Sequence, residues 1–157
     1  MVVVFIALVL LSLAWPVVAG GAAVLVVLAG LALRTGRRVG NGWTRAGWLL
    51  AVGAALTGLA AYGHGLAATT FGLLTDADDR CALRQPEGYD PRHGAPSGGT
   101  QSMWPLHDTT CGPDLVPDYV NPLVVGSAML FLALAVTLTS VRVRSRRARY
   151  RCTGAAT

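Results

Sequence analysis

The chain has 157 residues, of which 53% are hydrophobic and only 13% are charged, with a formal net charge of +5 at pH 7. Soluble domains carry about 25% charged residues, so this composition favours a membrane protein over a soluble globular one. All 13 basic residues are arginine, which excludes a phosphate loop with its lysine, a Schiff-base lysine and a lysine general base. The excess of Ala, Gly, Val, Leu and Arg is typical of a GC-rich bacterial genome.

The first predicted element is an uncharged apolar segment from Val2 to Leu33. A helix of this length measures about 48 Å, more than the roughly 30 Å of a bilayer core. Trp15 lies about 20 residues before the end of the segment, where an aromatic belt is expected at the opposite interface. Residues 1–13 would then project past the bilayer, and we expect apolar residues of the polar insert over residues 75–121 to cover them. The membrane surface and a partner protein are the alternatives. A two-helix hairpin that turns at Pro16–Gly21 is the alternative, although its arms would be too short to span.

A second transmembrane segment is predicted over residues 46–74, after a basic, glycine-containing turn. Trp43 and Trp48 mark the interface at its start. Small residues recur four apart in this segment, as in Gly47, Ala51 and Ala55, and this spacing lets helix backbones approach closely. We expect the small residues to serve packing within the protein, with homodimerisation as the alternative.

A third transmembrane segment is predicted over residues 122–141, with Asn121 as its N-cap and Pro122 at the first helical position. The tail, residues 142–157, is strongly basic. It is expected to hold the helix end at the cytoplasmic surface and to attract anionic lipid headgroups, so that lipid rather than nucleic acid is its predicted partner. The arginines that carry this prediction are Arg142, Arg144, Arg146, Arg147, Arg149 and Arg151.

The charge distribution predicts the orientation. The turn over residues 34–45 holds four arginines and the tail holds six, with no acidic residue in either. The insert over residues 75–121 holds all eight acidic residues and three arginines, a net charge of −5. Because arginine near helix ends stays cytoplasmic, three crossings place the N-terminus and the insert outside and the C-terminus inside.

The insert also contains Cys81 and Cys111, which would lie in an oxidising compartment. We expect a structural disulfide between them, since a segment so rich in proline and glycine has few apolar residues with which to order itself. A zinc site that uses both cysteines with His93 and His107 is the weaker alternative, because the spacing fits no zinc finger or ribbon. A calcium site at Asp76, Asp78 and Asp79 lacks the EF-hand pattern, so no metal and no cofactor is expected.

His64, with Tyr62 beside it, is a possible intramembrane polar site. Ionisable residues within a span are candidates for function, although His64 falls near the outer boundary by residue count. A neutral histidine that faces another helix is the simpler interpretation. A proton relay is disfavoured because no carboxylate lies within the predicted spans.

The sequence therefore predicts an all-α membrane protein of one domain, residues 1–157, with three transmembrane helices. A long extracytoplasmic loop, closed by a disulfide, joins the second and third helices. No catalytic motif is present, so we expect a non-enzymatic accessory or interaction protein of the bacterial cytoplasmic membrane, with a protein partner at the external loop. A small transporter or a pore is the alternative. In outline the chain resembles class I holins, which have three spans and a basic tail, but the long disulfide-bearing loop departs from that pattern.

Overall fold

The computed structural model of the chain describes residues 2–36, 42–69, 79, 81–82 and 99–153. Three long helices make up most of this structure. They are α1 (Val2–Gly36), α2 (Gly42–Ala68) and α3 (Val120–Thr153). Between α2 and α3 lies a two-stranded antiparallel sheet, β1 (Gln101–Met103) and β2 (Leu106–Asp108). We call the described residues between α2 and α3, namely 79, 81–82 and 99–119, the cap.

Each of the three helices contains a stretch long and apolar enough to cross a membrane, which confirms that part of the prediction. These stretches are Ile6–Arg34, Trp43–Ala68 and Val120–Ser145.

The helix boundaries differ from those predicted. α2 begins at Gly42 and ends at Ala68, and residues 70–74 of the predicted segment lie outside the described residues. The Thr69 N–H donates to the carbonyls of Gly65 and Leu66, and its hydroxyl donates to Leu66 as well. α3 begins two residues early and continues past residue 141. The described part of the basic tail is therefore helical.

α1 is a single helix that runs through Pro16, so the alternative of a two-helix hairpin in this segment is wrong. The proline removes one backbone hydrogen bond, whereas a turn within an apolar segment would leave several backbone groups without partners. The segment is thus one element of 35 residues.

The prediction of an all-α protein is wrong at the hairpin. β1 and β2 pair Gln101 with Asp108, Ser102 with His107, and Met103 with Leu106. The Thr109 N–H extends the ladder by donating to the Thr100 carbonyl at 3.0 Å. The strands are three residues each, too short for the alternation of apolar and polar side chains to stand out in the sequence.

Small residues let α2 pack closely against α1 on one side and α3 on the other. A Cβ on Gly63 would lie 2.7 Å from the Leu11 carbonyl oxygen, and one on Gly58 would lie 2.5 Å from the Ser127 hydroxyl. Ala51 is fully buried. The expectation that the small residues serve packing within the protein is confirmed at these positions.

Two side chains of α1, those of Leu8 and Leu11, pack against a buried cluster that includes residues of the cap. Leu66, Leu106, Val116 and Val120 form a buried cluster, which we call the cap core. Leu8, Leu11, Tyr62 and Val124 pack against it. The opposite face of α1 is uncovered and apolar, and its large exposed residues in this region are Val3, Ile6, Leu10 and Leu13.

Candidate functional site

Two large apolar side chains are exposed where β1 leads into its turn to β2. Met103 is 47% exposed and Trp104 is 58% exposed. The Trp104–Pro105 peptide bond is cis, and the Ser102 hydroxyl donates to the Pro105 carbonyl across the turn. The turn thus presents a thioether and an indole that the fold does not use for its own core.

Tyr62 ties this turn to α2. Its hydroxyl donates to the Met103 carbonyl at 3.0 Å, a contact between residues 41 apart in the chain. His64, predicted to share a polar site with Tyr62, has different neighbours. Residues two apart on a helix point to different faces, so Tyr62 meets the hairpin while His64 meets α1.

Asn121 ties the second strand to the start of α3. The Leu106 N–H donates to Asn121 Oδ1 at 2.9 Å, and Asn121 Nδ2 donates to the Leu106 carbonyl at 2.9 Å. The helix already includes Val120, so Asn121 is not the N-cap that the sequence predicts. Its amide instead pairs with a strand peptide in the way a neighbouring strand would.

The predicted disulfide between Cys81 and Cys111 is present, with a Cα–Cα distance of 5.3 Å, and it joins cap residues 30 apart in the sequence. Both cysteines are buried, and Leu115 packs with them. The next residue, Gly112, has φ of 100°, a conformation that glycine adopts without steric cost. The bridge therefore leads directly into a tight turn toward Asp114.

Two carboxylates organise the segment between the hairpin and α3. Asp108 is fully buried, and its Oδ1 accepts hydrogen bonds from the Thr110 N–H at 3.0 Å and the Thr110 hydroxyl at 2.6 Å. Asp114 Oδ1 accepts from the N–H groups of Asp108 at 3.1 Å and Val116 at 3.0 Å. Asp114 Oδ2 lies 2.6 Å from His107 Nδ1.

These contacts decide the ionisation of Asp114. Desolvation by partial burial raises the pKa of Asp114, but the backbone hydrogen bonds from Val116 and Asp108, together with His107, outweigh it. The net result is a pKa below the ordinary value of 3.8. The ionised carboxylate is thus the form that holds the chain in place after β2.

The cysteine and histidine candidates for a metal site have other partners. Cys81 and Cys111 are bonded to each other, and His107 pairs with Asp114. In the ranges that the structure describes, no three His, Cys, Asp or Glu side chains come together in a way that could hold a metal ion. The remaining predicted ligands lie outside the described residues: Asp76, Asp78 and His93.

His64 lies between two aromatic rings at the cap end of the helices. Its ring centroid is 4.6 Å from that of Trp15 in an edge-on arrangement, and 6.1 Å from that of Tyr119 in a stacked one. We call these three side chains the ring cluster. Trp15 is in α1, His64 is in α2, and Tyr119 immediately precedes α3. The cluster therefore marks the same level on all three helices.

A groove begins at the ring cluster and follows α2 between α1 and α3. Its volume is about 620 Å³, and the lining residues that carry a polar group are Trp15, Thr57, His64 and Tyr119. Alanines such as Ala19 and Ala60 line part of it. A second cavity of about 310 Å³ shares part of this lining and extends toward Leu130.

The arginine tail continues α3 to Thr153. Arg142 and Arg144 are exposed. Arg146, Arg147, Arg149 and Arg151 follow on the same helical backbone.

Sequence reasoning missed the roles of Trp104, Tyr119 and Asn121. The Trp104-Pro105 dipeptide is a turn signal inside a segment read as one long loop, and Asn121-Pro122 reads equally well as a helix start. The contact of Tyr119 with His64 depends on helix packing and leaves no local signal. No protein-family model, curated protein or solved structure matches this chain.

Proposed function

We propose that the chain is a three-pass protein of the bacterial cytoplasmic membrane, with its N-terminus and cap outside and its C-terminus in the cytoplasm. Ten arginines over residues 34–45 and 142–157, with no acidic residue in either range, support this orientation. From Trp15 to Arg34 a helix rises roughly 28 Å, close to the thickness of a bilayer core. The tail then lies against anionic headgroups.

We further propose that the protein is a non-enzymatic accessory protein whose cap binds another protein of the cell envelope. One observation carries this proposal. The turn at Met103 and Trp104 is held by hydrogen bonds from Tyr62 and to Asn121, yet its two largest side chains remain exposed. The recognition element is therefore the β1–β2 turn.

The energetics of association favour such an arrangement. Binding costs conformational freedom at the interface, and a surface that is already ordered loses less of it. Tryptophan is among the residues that contribute most to protein interfaces, because it buries a large rigid surface. The disulfide bond and the hydrogen bond from Tyr62 keep the turn ordered before a partner binds.

Site-specific crosslinking in cells tests the binding surface. A photoreactive phenylalanine derivative replaces Trp104 in one variant and Asp118, an exposed cap residue, in the control. We expect a discrete crosslinked protein from position 104 and none from position 118. In the Cys81→Ser/Cys111→Ser background the yield should fall, because the turn is less ordered. Equal crosslinking from both positions would contradict a specific role for the turn.

Reporter fusions after Gly99 and after Thr157 test the orientation, and we expect the first outside and the second inside. If both reporters were found in the same compartment, the three-pass topology would be refuted. A pore, one form of the alternative, predicts conductance by the purified protein in liposomes, which an accessory protein should lack.

A further inference from the structure

The groove below the ring cluster has the dimensions of one membrane leaflet. Along α1 it extends from Trp15 to Val27, and on α3 the two cavities extend from Tyr119 to Leu130. At 1.5 Å per residue these distances are roughly 18 Å and 17 Å. Half of a bilayer core is about 15 Å thick. The groove therefore reaches from the ring cluster to about the middle of the bilayer, if the ring cluster lies at the outer interface as proposed above.

The groove has the volume of a small-molecule site. The two cavities measure about 620 Å³ and 310 Å³. Small-molecule ligands occupy cavities of about 300–1,000 Å³.

The distribution of polar atoms along the groove matches an amphipathic ligand. His64 and Tyr119 stand at the cap end, and both side chains can donate hydrogen bonds. Below them the lining consists mainly of Ala, Val and Leu, with the Thr57 hydroxyl already donating to the Gly53 carbonyl at 2.9 Å. A ligand here would place a polar head beside the ring cluster and one long apolar chain in the groove.

We propose that this groove binds one outer-leaflet phospholipid, with an acyl chain between α1 and α3 and its ester or phosphate oxygens beside His64 and Tyr119. The inference rests on the proposed membrane insertion and orientation, but not on the proposed protein partner of the cap. In the groove the acyl chain contacts protein on three sides. A lipid elsewhere on the helices contacts only one convex face.

Photolabelling of the purified full-length protein in vesicles of phosphatidylglycerol and phosphatidylethanolamine tests this site. The probe is phosphatidylglycerol with a diazirine near the end of one acyl chain, added at increasing mole fraction. We expect labelling near Val26 and Leu130 to saturate with the probe fraction. Labelling of the exposed helix faces should instead rise in proportion to the mole fraction of the probe, because the probe and the other lipids exchange there without preference.

A variant that fills the groove and a matched control sharpen the test. Ala19 is half-buried and Ala23 is exposed, and both line the groove, so Ala19→Leu/Ala23→Leu adds carbons there with little strain on the core. We expect the saturable labelling to fall about tenfold, the effect of losing two buried methylene contacts. Ala128→Leu/Ala133→Leu adds the same number of carbons on the exposed face of α3 and should change nothing.

A second variant tests the polar end without filling the groove. His64→Phe keeps an aromatic ring next to Trp15 but removes both ring nitrogens. We expect the mole fraction of probe needed for half-saturation to rise, while the labelled positions stay the same.

Three outcomes would overturn the inference, and they differ in what else they contradict. Proportional labelling of all helix faces, unchanged by Ala19→Leu/Ala23→Leu, would show surrounding lipid alone and leave membrane insertion intact. An absence of label from every helix would contradict insertion itself, and with it the proposed topology. If the filling variant instead changed the oligomeric state, and the probe never entered the groove, a second copy of the chain would be the occupant.

Discussion

Asn121 and Leu106, 15 residues apart, exchange two hydrogen bonds of 2.9 Å through the side-chain amide of one and the peptide groups of the other. Leu106 is only 1% exposed, so water cannot replace these bonds. The pair fixes β2 against the start of α3, and the Met103–Trp104 turn is the direct continuation of that strand. The orientation of the turn therefore depends on a residue in a helix.

Replacing Asn121 should loosen the hairpin. Asn121→Ala removes both bonds and leaves the buried peptide groups of Leu106 without partners, which should cost about 2–4 kcal/mol. Amide exchange over residues 101–108, followed by mass spectrometry, is the measurement. Asn121→Asp keeps the acceptor but loses the donor, so its exchange should be intermediate. Unchanged exchange in Asn121→Ala would mean that the cap core alone holds the strand.

The contact between α1 and α2 should be sensitive to one added methyl group. In Gly63→Ala the new Cβ would lie 2.7 Å from the Leu11 carbonyl oxygen and 3.1 Å from the Trp15 Cβ, so the helices must separate. We expect a loss of about 1–3 kcal/mol. Gly20→Ala is the control, since its Cβ meets nothing within 4 Å and alanine is the better helix former. Unfolding in mixed detergent micelles, followed by circular dichroism, compares the two, and equal stability would contradict the packing.

Features that depend on long uniform stretches could be predicted from the sequence. The uncharged run before Arg34 and the apolar run after Asn121 predict helices because their length and hydropathy leave little else possible. The Cys81–Cys111 bridge followed from having two cysteines in one polar insert. The packing of Leu8 and Leu11 against the cap core agrees with the cover expected for residues 1–13, which followed from the length of α1 compared with the thickness of a bilayer.

Features that depend on contacts between distant residues could not be predicted. Asn121 is compatible with both an N-cap and a strand partner, and only the position of Leu106 decides between them. The β1–β2 hairpin has strands of three residues each, which is too short for a periodic pattern. The groove depends on how far apart α1 and α3 lie along α2, and no local sequence signal records that distance.

Removing the disulfide should destabilise the cap but not the helices. For a sequence separation of 30 residues, the loss of the loop constraint is worth about 3.5–4 kcal/mol. In Cys81→Ser/Cys111→Ser, protease should therefore cleave the cap rapidly, while α1, α2 and α3 remain protected in membranes. Cys152→Ser, which leaves the bridge in place, should behave as the unmodified protein. Slow cleavage of the double variant would mean that Tyr62, Asn121 and the cap core are sufficient.

The cap should loosen in acid because of Asp114. The folded state lowers the pKa of this carboxyl below its ordinary value of 3.8. Its contribution to stability is therefore fully present above that pH and is lost as the pH falls through the folded-state pKa. The Val116 N–H donates to this carboxylate. Below about pH 3.8 its rate of hydrogen exchange in the unmodified protein should rise relative to its rate in Asp114→Asn. The asparagine keeps an acceptor oxygen but does not titrate, so parallel profiles for the two proteins would contradict the role of Asp114.

The first turns of α1 should show two faces with different accessibility. Leu8 and Leu11 pack against the cap core, whereas Ile6 is 49% exposed and Leu10 is 59% exposed. Ile6 lies nine residues before Trp15, so it stands roughly 13 Å beyond the ring cluster along the helix. If the ring cluster marks the outer interface, Ile6 and Leu10 project past the bilayer core while Leu8 and Leu11 remain covered by protein.

Single cysteines at these four positions, in a Cys152→Ser background with the disulfide intact, test this arrangement. We expect a membrane-impermeant maleimide added from outside to modify Ile6→Cys and Leu10→Cys several times faster than Leu8→Cys and Leu11→Cys. The Cys81→Ser/Cys111→Ser variant should reduce that difference, because a loosened cap no longer shields the covered face. Fast modification at all four positions would mean that the cap does not pack on α1. Slow modification at all four, with lipid-borne quenchers reaching a fluorophore at each, would place the membrane boundary beyond Ile6 and the whole first segment within lipid.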